Sequence, residues 1–96
     1  MEFKGTKGDW SINKRLSNNL ETEISCGKLR IAEAKHYNGS MFNDPSQEEG
    51  LANAKLIAAA PDLLEVCIGL QEVLYTISMP SQIMNDLEKA INKALK

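Results

Sequence analysis

Residues 53–65 read NAKLIAAAPDLLE, three alanines running into a proline with aliphatic residues on both sides. Whether this stretch holds a site or joins two helices decides how the C-terminal half is built. Proline has no amide to donate and disfavours helical geometry in the residue before it. A first helix is therefore expected to stop at Ala59 or Ala60, with Pro61 opening a second. Asp62 and Glu65 then fall in the new first turn, where negative charge opposes the helix dipole favourably. The alanine side chains, one carbon long, let another element approach the bend. Nothing in Ala, Leu, Ile or Pro performs acid–base chemistry, so the stretch reads as a packed joint.

Upstream of the joint, Ser46-Gln47-Glu48-Glu49 matches a capping box, in which Ser accepts from a first-turn amide and Glu reaches back. Asp44-Pro45 is a competing start, with Pro at the first helical position. Leu51, Ala54, Ile57 and Ala58 form that helix's apolar stripe. Downstream, a second helix is expected over 61–77, with Leu63, Val66, Cys67, Leu70, Leu74 and Ile77 facing the core. Leu64, Ile68 and Val73 fall off that stripe and make a second apolar surface. It needs a partner, either the third helix or another copy of the chain. Pro80 breaks the chain again, and a third helix is expected over 81–95. Its stripe is Ile83, Leu87, Ala90, Ile91 and Ala94, and Lys93 and Lys96 suit its C-terminal end.

The front half alternates instead. Residues 1–8 have no period and read as a flexible end. In residues 9–15, Trp10 and Ile12 share one face of a short strand, followed by a turn over 16–20. In residues 21–26, Thr22, Ile24 and Cys26 face one way. Gly27-Lys28 suits a type II′ hairpin turn, which takes Gly first. Residues 29–36 are expected to return as a strand, with Leu29 and Ile31 facing the core and Arg30, Ala32, Ala34 and His36 the other side. The same residues also suit two helical turns. Strand is preferred because Gly27 and Asn38-Gly39 bracket them closely. Residues 37–45 form a loop pinned by Met41 and Phe42.

Strands first and helices afterwards give an α+β class. The expected fold is a small antiparallel sheet of two or three strands, then three helices packed on one sheet face. It forms a single domain over 1–96: flexible end 1–8, hairpin region 9–36, and helical region 46–95 with joints near Pro61 and Pro80. The chain has 96 residues, is 43% hydrophobic and 25% charged, and carries a net charge of −2. That composition excludes disorder and lacks the strong basic stripe of a duplex nucleic-acid binder. No signal-peptide pattern and no membrane-length apolar run is present, so the expected location is cytoplasmic, with Cys26 and Cys67 reduced.

Catalytic constellations are missing. One histidine and two distant cysteines exclude the usual metal spacings, and no glycine-rich phosphate loop or nucleophile elbow is present. The expectation is a protein that is no enzyme and uses no cofactor or metal. The best ligand patch is Lys28, Arg30, Lys35 and His36, with Tyr37 and Trp10 able to stack on a base. A solvated sheet face and a core tryptophan are the plainer reading. Leu64, Ile68 and Val73 are the candidate oligomer or partner surface.

Residues 53–65 also resemble a group of short phage- and prophage-encoded proteins with a segment of the type N-A-[KR]-L-I-A-A-A-P-[DE]-L-L-E. Trp10-Ser11-Ile12 and the hairpin resemble that group in outline. The motif carries no chemistry and transfers no site. The resemblance implies a phage protein acting in the cytoplasm of a bacterial host. Two functions follow as expectations. One is a counter-defence homo-oligomer that sequesters a host immune nucleotide signal. The other is an interaction module that inhibits or redirects a host protein.

Overall fold

The computed structural model describes residues 2–18, 20–36, 45–77 and 81–96. Its contacts divide the chain into two compact units, Thr6–Pro61 and Met1–Gly5 with Asp62–Lys96.

The Thr6–Pro61 unit carries three strands, β1 (Ser11–Asn13), β2 (Glu21–Cys26) and β3 (Leu29–Lys35). They form one antiparallel sheet in the order β1-β2-β3. The sheet thus has three strands, and residues 29–35 form a strand and not helical turns. Between β2 and β3, Gly27 sits at φ +61°, and among the described residues none other than glycine has positive φ. That is the pattern of a turn with Gly first, as in type II′. Between β1 and β2, the Ser17 hydroxyl donates to the Asn13 carbonyl at 2.7 Å and accepts from the Glu23 amide at 3.0 Å. Thr6 and Lys7 are tied to the sheet region as well. The Trp10 indole donates to the Thr6 carbonyl at 3.0 Å, and the Cys26 thiol to the Lys7 carbonyl at 3.5 Å.

The facing of β3 differs from the sequence expectation. Ile24 pairs with Ala32, but its neighbour Ser25 pairs with Arg30, so Ile31 is an extra residue on β3. One inserted residue shifts every later side chain to the other face. Ala34 and His36 are therefore buried, Ala32 packs on the core, and Leu29 is 60% exposed. Alternation alone assigns these faces wrongly because it assumes an unbroken ladder.

The core of this unit is Ile24, Ala34 and Ala54, with Trp10, Ile12, Ile31, Ala32, Ile57 and Ala58 packed around it. The last two and Ala54 come from α1 (Gln47–Leu74), so three residues of the expected stripe face the sheet, while Leu51 is 42% exposed. Ser46 caps this helix. Its hydroxyl accepts from the Glu49 amide at 3.2 Å and donates to the Glu49 carboxylate at 3.3 Å. Gly50 permits a close approach, since a Cβ there would lie 2.3 Å from the Cβ of His36.

The expected three helices are two. α1 spans 28 residues with Pro61 inside it, and α2 is Ser81–Leu95. Pro61 costs one hydrogen bond and a clash with the carbonyl four residues back. Ending a helix costs more unless capping groups satisfy the freed carbonyls and amides. No Gly, Asn or Ser stands beside Pro61 to do so, and Ala58-Ala59-Ala60 has the highest helix propensity. Continuation through the proline is the outcome. Pro61 is nevertheless the last residue of its compact unit.

In the unit that contains Asp62–Lys96, Gln71, Leu74 and Ile91 are buried, and Leu64, Cys67 and Ile68 are half-buried. Leu63, Val66, Leu70 and Val73 are exposed. The expected core stripe is corrected accordingly. The inward side follows Leu64, Cys67, Ile68, Gln71 and Leu74, so Cys67 and Leu74 of the expected stripe turn inward while Leu63, Val66, Leu70 and Ile77 do not. The expected facing assumes that Pro61 begins a new helix. The joint near Pro80, the turn at Asn38-Gly39, and Met41 and Phe42 lie outside the described residues.

Candidate functional site

Of the six residues expected to hold a ligand, the five that are described are not gathered in one place. Arg30 and Lys35 lie on the sheet face with Glu21, Glu23 and Glu33, and carboxylates occupy both. The Arg30 Nε donates to the Glu23 carboxylate, and its Nη2 lies 4.0 Å from Glu33. The Lys35 ammonium is 2.7 Å from Glu21 and 3.8 Å from Glu33. That hydrogen bond from Lys35 holds the Glu21 carboxyl below its ordinary value of 4.5. The Glu23 carboxylate in turn raises the already high pKa of Arg30. Glu23 itself is 1% exposed, and the Ser25 hydroxyl also donates to it at 3.3 Å. These cations compensate acids of their own sheet.

His36 and Trp10 lie on the other side. His36 is buried, with Nε2 3.2 Å from the Thr22 hydroxyl and Nδ1 without a partner. Trp10 is half-buried against the core. Lys28 is exposed in the hairpin turn. Tyr37 lies outside the described residues. Among the described residues, no group of three or more His, Cys, Asp or Glu could hold a metal ion.

The helix surface named from the sequence is also rearranged. Of Leu64, Ile68 and Val73, the first two are half-buried and Val73 is 57% exposed. Val73 belongs with Leu63, Val66 and Leu70, which are 50%, 67% and 47% exposed. These four repeat at steps of three, four and three along α1, the spacing of a coiled-coil seam. Gly69 lies beside the seam, exposed, and a Cβ there would meet nothing within 4 Å. A glycine inside a helix costs about 1 kcal/mol relative to alanine, and no described residue occupies the space it leaves. Asp62, Glu65 and Glu72 accompany the seam, and residues 62–74 contain no Lys or Arg. The sequence carries this heptad spacing plainly. Spacing alone places Leu63, Val66 and Leu70 in the core and Val73 on a partner surface, because it does not say which side of α1 the fold covers.

A family model described as Salmonella phage P22 protein Y8K6 matches residues 1–96. The chain belongs to this phage protein family. Phage origin, expected from the resemblance at residues 53–65, is thus shown over the whole length, although the match does not single out that motif. No curated protein and no solved structure matches the chain. Among the described residues, no helix is long and apolar enough to cross a membrane, α1 included. For this member of the P22 Y8K6 family, the two surfaces of interest are an internally compensated sheet face and an uncovered helical seam.

Proposed function

We propose that this phage protein is a non-enzymatic interaction module that docks a basic amphipathic helix of a protein partner on α1. The observation that carries this is the exposed seam Leu63, Val66, Leu70 and Val73. Contiguous exposed apolar surface of this kind marks interaction sites, and heptad spacing suits a helical occupant. Gly69 supports it by leaving room for a partner backbone. The charge supports a cationic partner. Asp62, Glu65 and Glu72 lie along this stretch with no cation among residues 62–74. A second copy docked by the same seam would bring like charges together at the rim.

Sequestration of a nucleotide signal at Lys28, Arg30, Lys35 and His36 has less support. Arg30 and Lys35 are paired with glutamates, and His36 is buried. A direct test uses two synthetic helical peptides with the same leucine seam, one flanked by lysines and one by glutamates. Fluorescence anisotropy against the full chain should show the lysine peptide binding at least about tenfold tighter, a difference of about 1.4 kcal/mol. Val66→Lys should abolish that binding. Equal affinity for both peptides, or none for either, would sink the proposal. So would a stable dimer that Val66→Lys dissolves and neither peptide disrupts.

A further inference from the structure

A groove in the Thr6–Pro61 unit lies between the β1–β2 turn and α1. It has a volume of roughly 520 Å³ and is lined by Ile12, Lys14, Ser17, Asn18, Thr22, Leu51 and Lys55. We propose that it binds a small phosphate-bearing molecule with an apolar or flat body. No motif in the sequence marks these residues as a site.

The charge of the lining differs from that of the sheet face. Lys14 and Lys55 are exposed, and neither forms an ion pair with any described residue. Among the described residues, no carboxylate lines the groove. Glu21, the acid on the strand that supplies Thr22, is engaged by Lys35 at 2.7 Å. Two uncompensated ammonium groups on one concave surface favour a multiply charged anion, and lysine serves phosphate as a point charge.

The floor is polar and held in place. The Asn18 side-chain oxygen accepts from the Leu20 and Glu21 amides at 2.8 and 3.2 Å, which pins that wall. The Ser17 hydroxyl is committed to Asn13 and to the Glu23 amide. Thr22 differs. It is buried, and among the described residues its hydroxyl meets only His36 Nε2, at 3.2 Å. His36 Nδ1 is buried without a partner. A buried, unpaired N–H is rarer and costlier than an unpaired acceptor, so the favoured tautomer carries its proton on Nε2. His36 then donates to Thr22, and the Thr22 hydroxyl keeps its own proton for an acceptor in the groove. The phosphate oxygens are that acceptor.

The walls set the rest of the ligand. Ile12 is half-buried and Leu51 is 42% exposed, so apolar surface faces the groove beside the charges. The four-carbon stems of the lysines add to it. Inorganic phosphate would leave this surface wet, whereas a phosphate ester with a ring would cover it.

The test is an amide NMR titration of the full chain with adenosine 5′-monophosphate and, separately, inorganic phosphate. The expected result is shifts at Ser17, Asn18, Thr22 and Lys55, with the ester binding more tightly than phosphate. Lys14→Gln and Lys55→Gln should each weaken the ester about tenfold, the size of one charge-assisted contact, while Lys28→Gln leaves it unchanged. Thermal melts of the variants show that the fold is kept. Absence of shifts at these amides at millimolar ester would overturn the proposal, as would equal effects of Lys28→Gln and Lys14→Gln. The seam on α1 is untouched by these variants, so this site and the helix-docking reading fail separately.

Discussion

Gly50 and Gly69 are both interior to α1, yet the same substitution should act on them in opposite directions. A Cβ at Gly50 would lie 2.3 Å from the buried His36, too close for any adjustment short of moving the strand. Gly50→Ala should therefore lower the urea midpoint even though alanine favours the helix by about 1 kcal/mol. A Cβ at Gly69 meets nothing, so Gly69→Ala should raise the midpoint by up to about 1 kcal/mol in the isolated chain. Raised midpoints for both would show that His36 does not press on α1. Arg30 and Lys35 give a second contrast. Arg30→Ala leaves the buried Glu23 carboxylate without its cation, whereas Lys35→Ala leaves a carboxylate that water reaches. Thermal melts should show the larger loss for Arg30→Ala, and equal losses would contradict the role given to Glu23. The Glu21 carboxyl is held below 4.5 by Lys35, so the folded state binds its proton less readily than the unfolded chain. The stability from this pair is complete above pH 4.5 and is lost as pH falls through the depressed value. Melts of the protein and of Glu21→Gln should converge as the pH drops below that point.

At the scale of elements, α1 has a sheet-facing stripe and an uncovered seam. Ile24 under the helix is 0% exposed, and Ile24→Ala should cost about 2–5 kcal/mol in urea unfolding. Leu70 is 47% exposed, and Leu70→Ala should cost under about 1 kcal/mol while weakening the basic peptide. A large loss at Leu70 would mean that the seam is covered within the chain. The extra residue at Ile31 matters at this scale too. By shifting the register of β3 it buries Ala34 and His36, and it sends Arg30 to the glutamates. That single residue puts Arg30 and His36, expected on one face, on opposite faces of the sheet. A bulge carries no glycine, proline or charge signal in LRIAEAK, so no local rule marks it.

For the whole molecule, the phage family match over residues 1–96 gives the origin, and the surfaces give the candidate activities. The α+β class, the strand ranges near 21–26 and 29–35, the Gly27 turn, the Ser46 cap and the helix over 81–95 all follow from local rules. Alternation, turn chemistry and capping act within a few residues, and a sequence displays them directly. The sequence also displays the three-four spacing on α1 and the acids beside it. It does not say which side of a helix is covered. Tertiary structure decided that Leu64, Cys67, Ile68 and Leu74 turn inward and that Leu63, Val66, Leu70 and Val73 stay in water. It decided that α1 continues through Pro61, because uncapped helix ends cost more than one lost hydrogen bond. It also brought Lys14 and Lys55 to one groove from positions far apart in the chain. Each of these outcomes depends on a partner remote in sequence, and no window of neighbouring residues contains that partner.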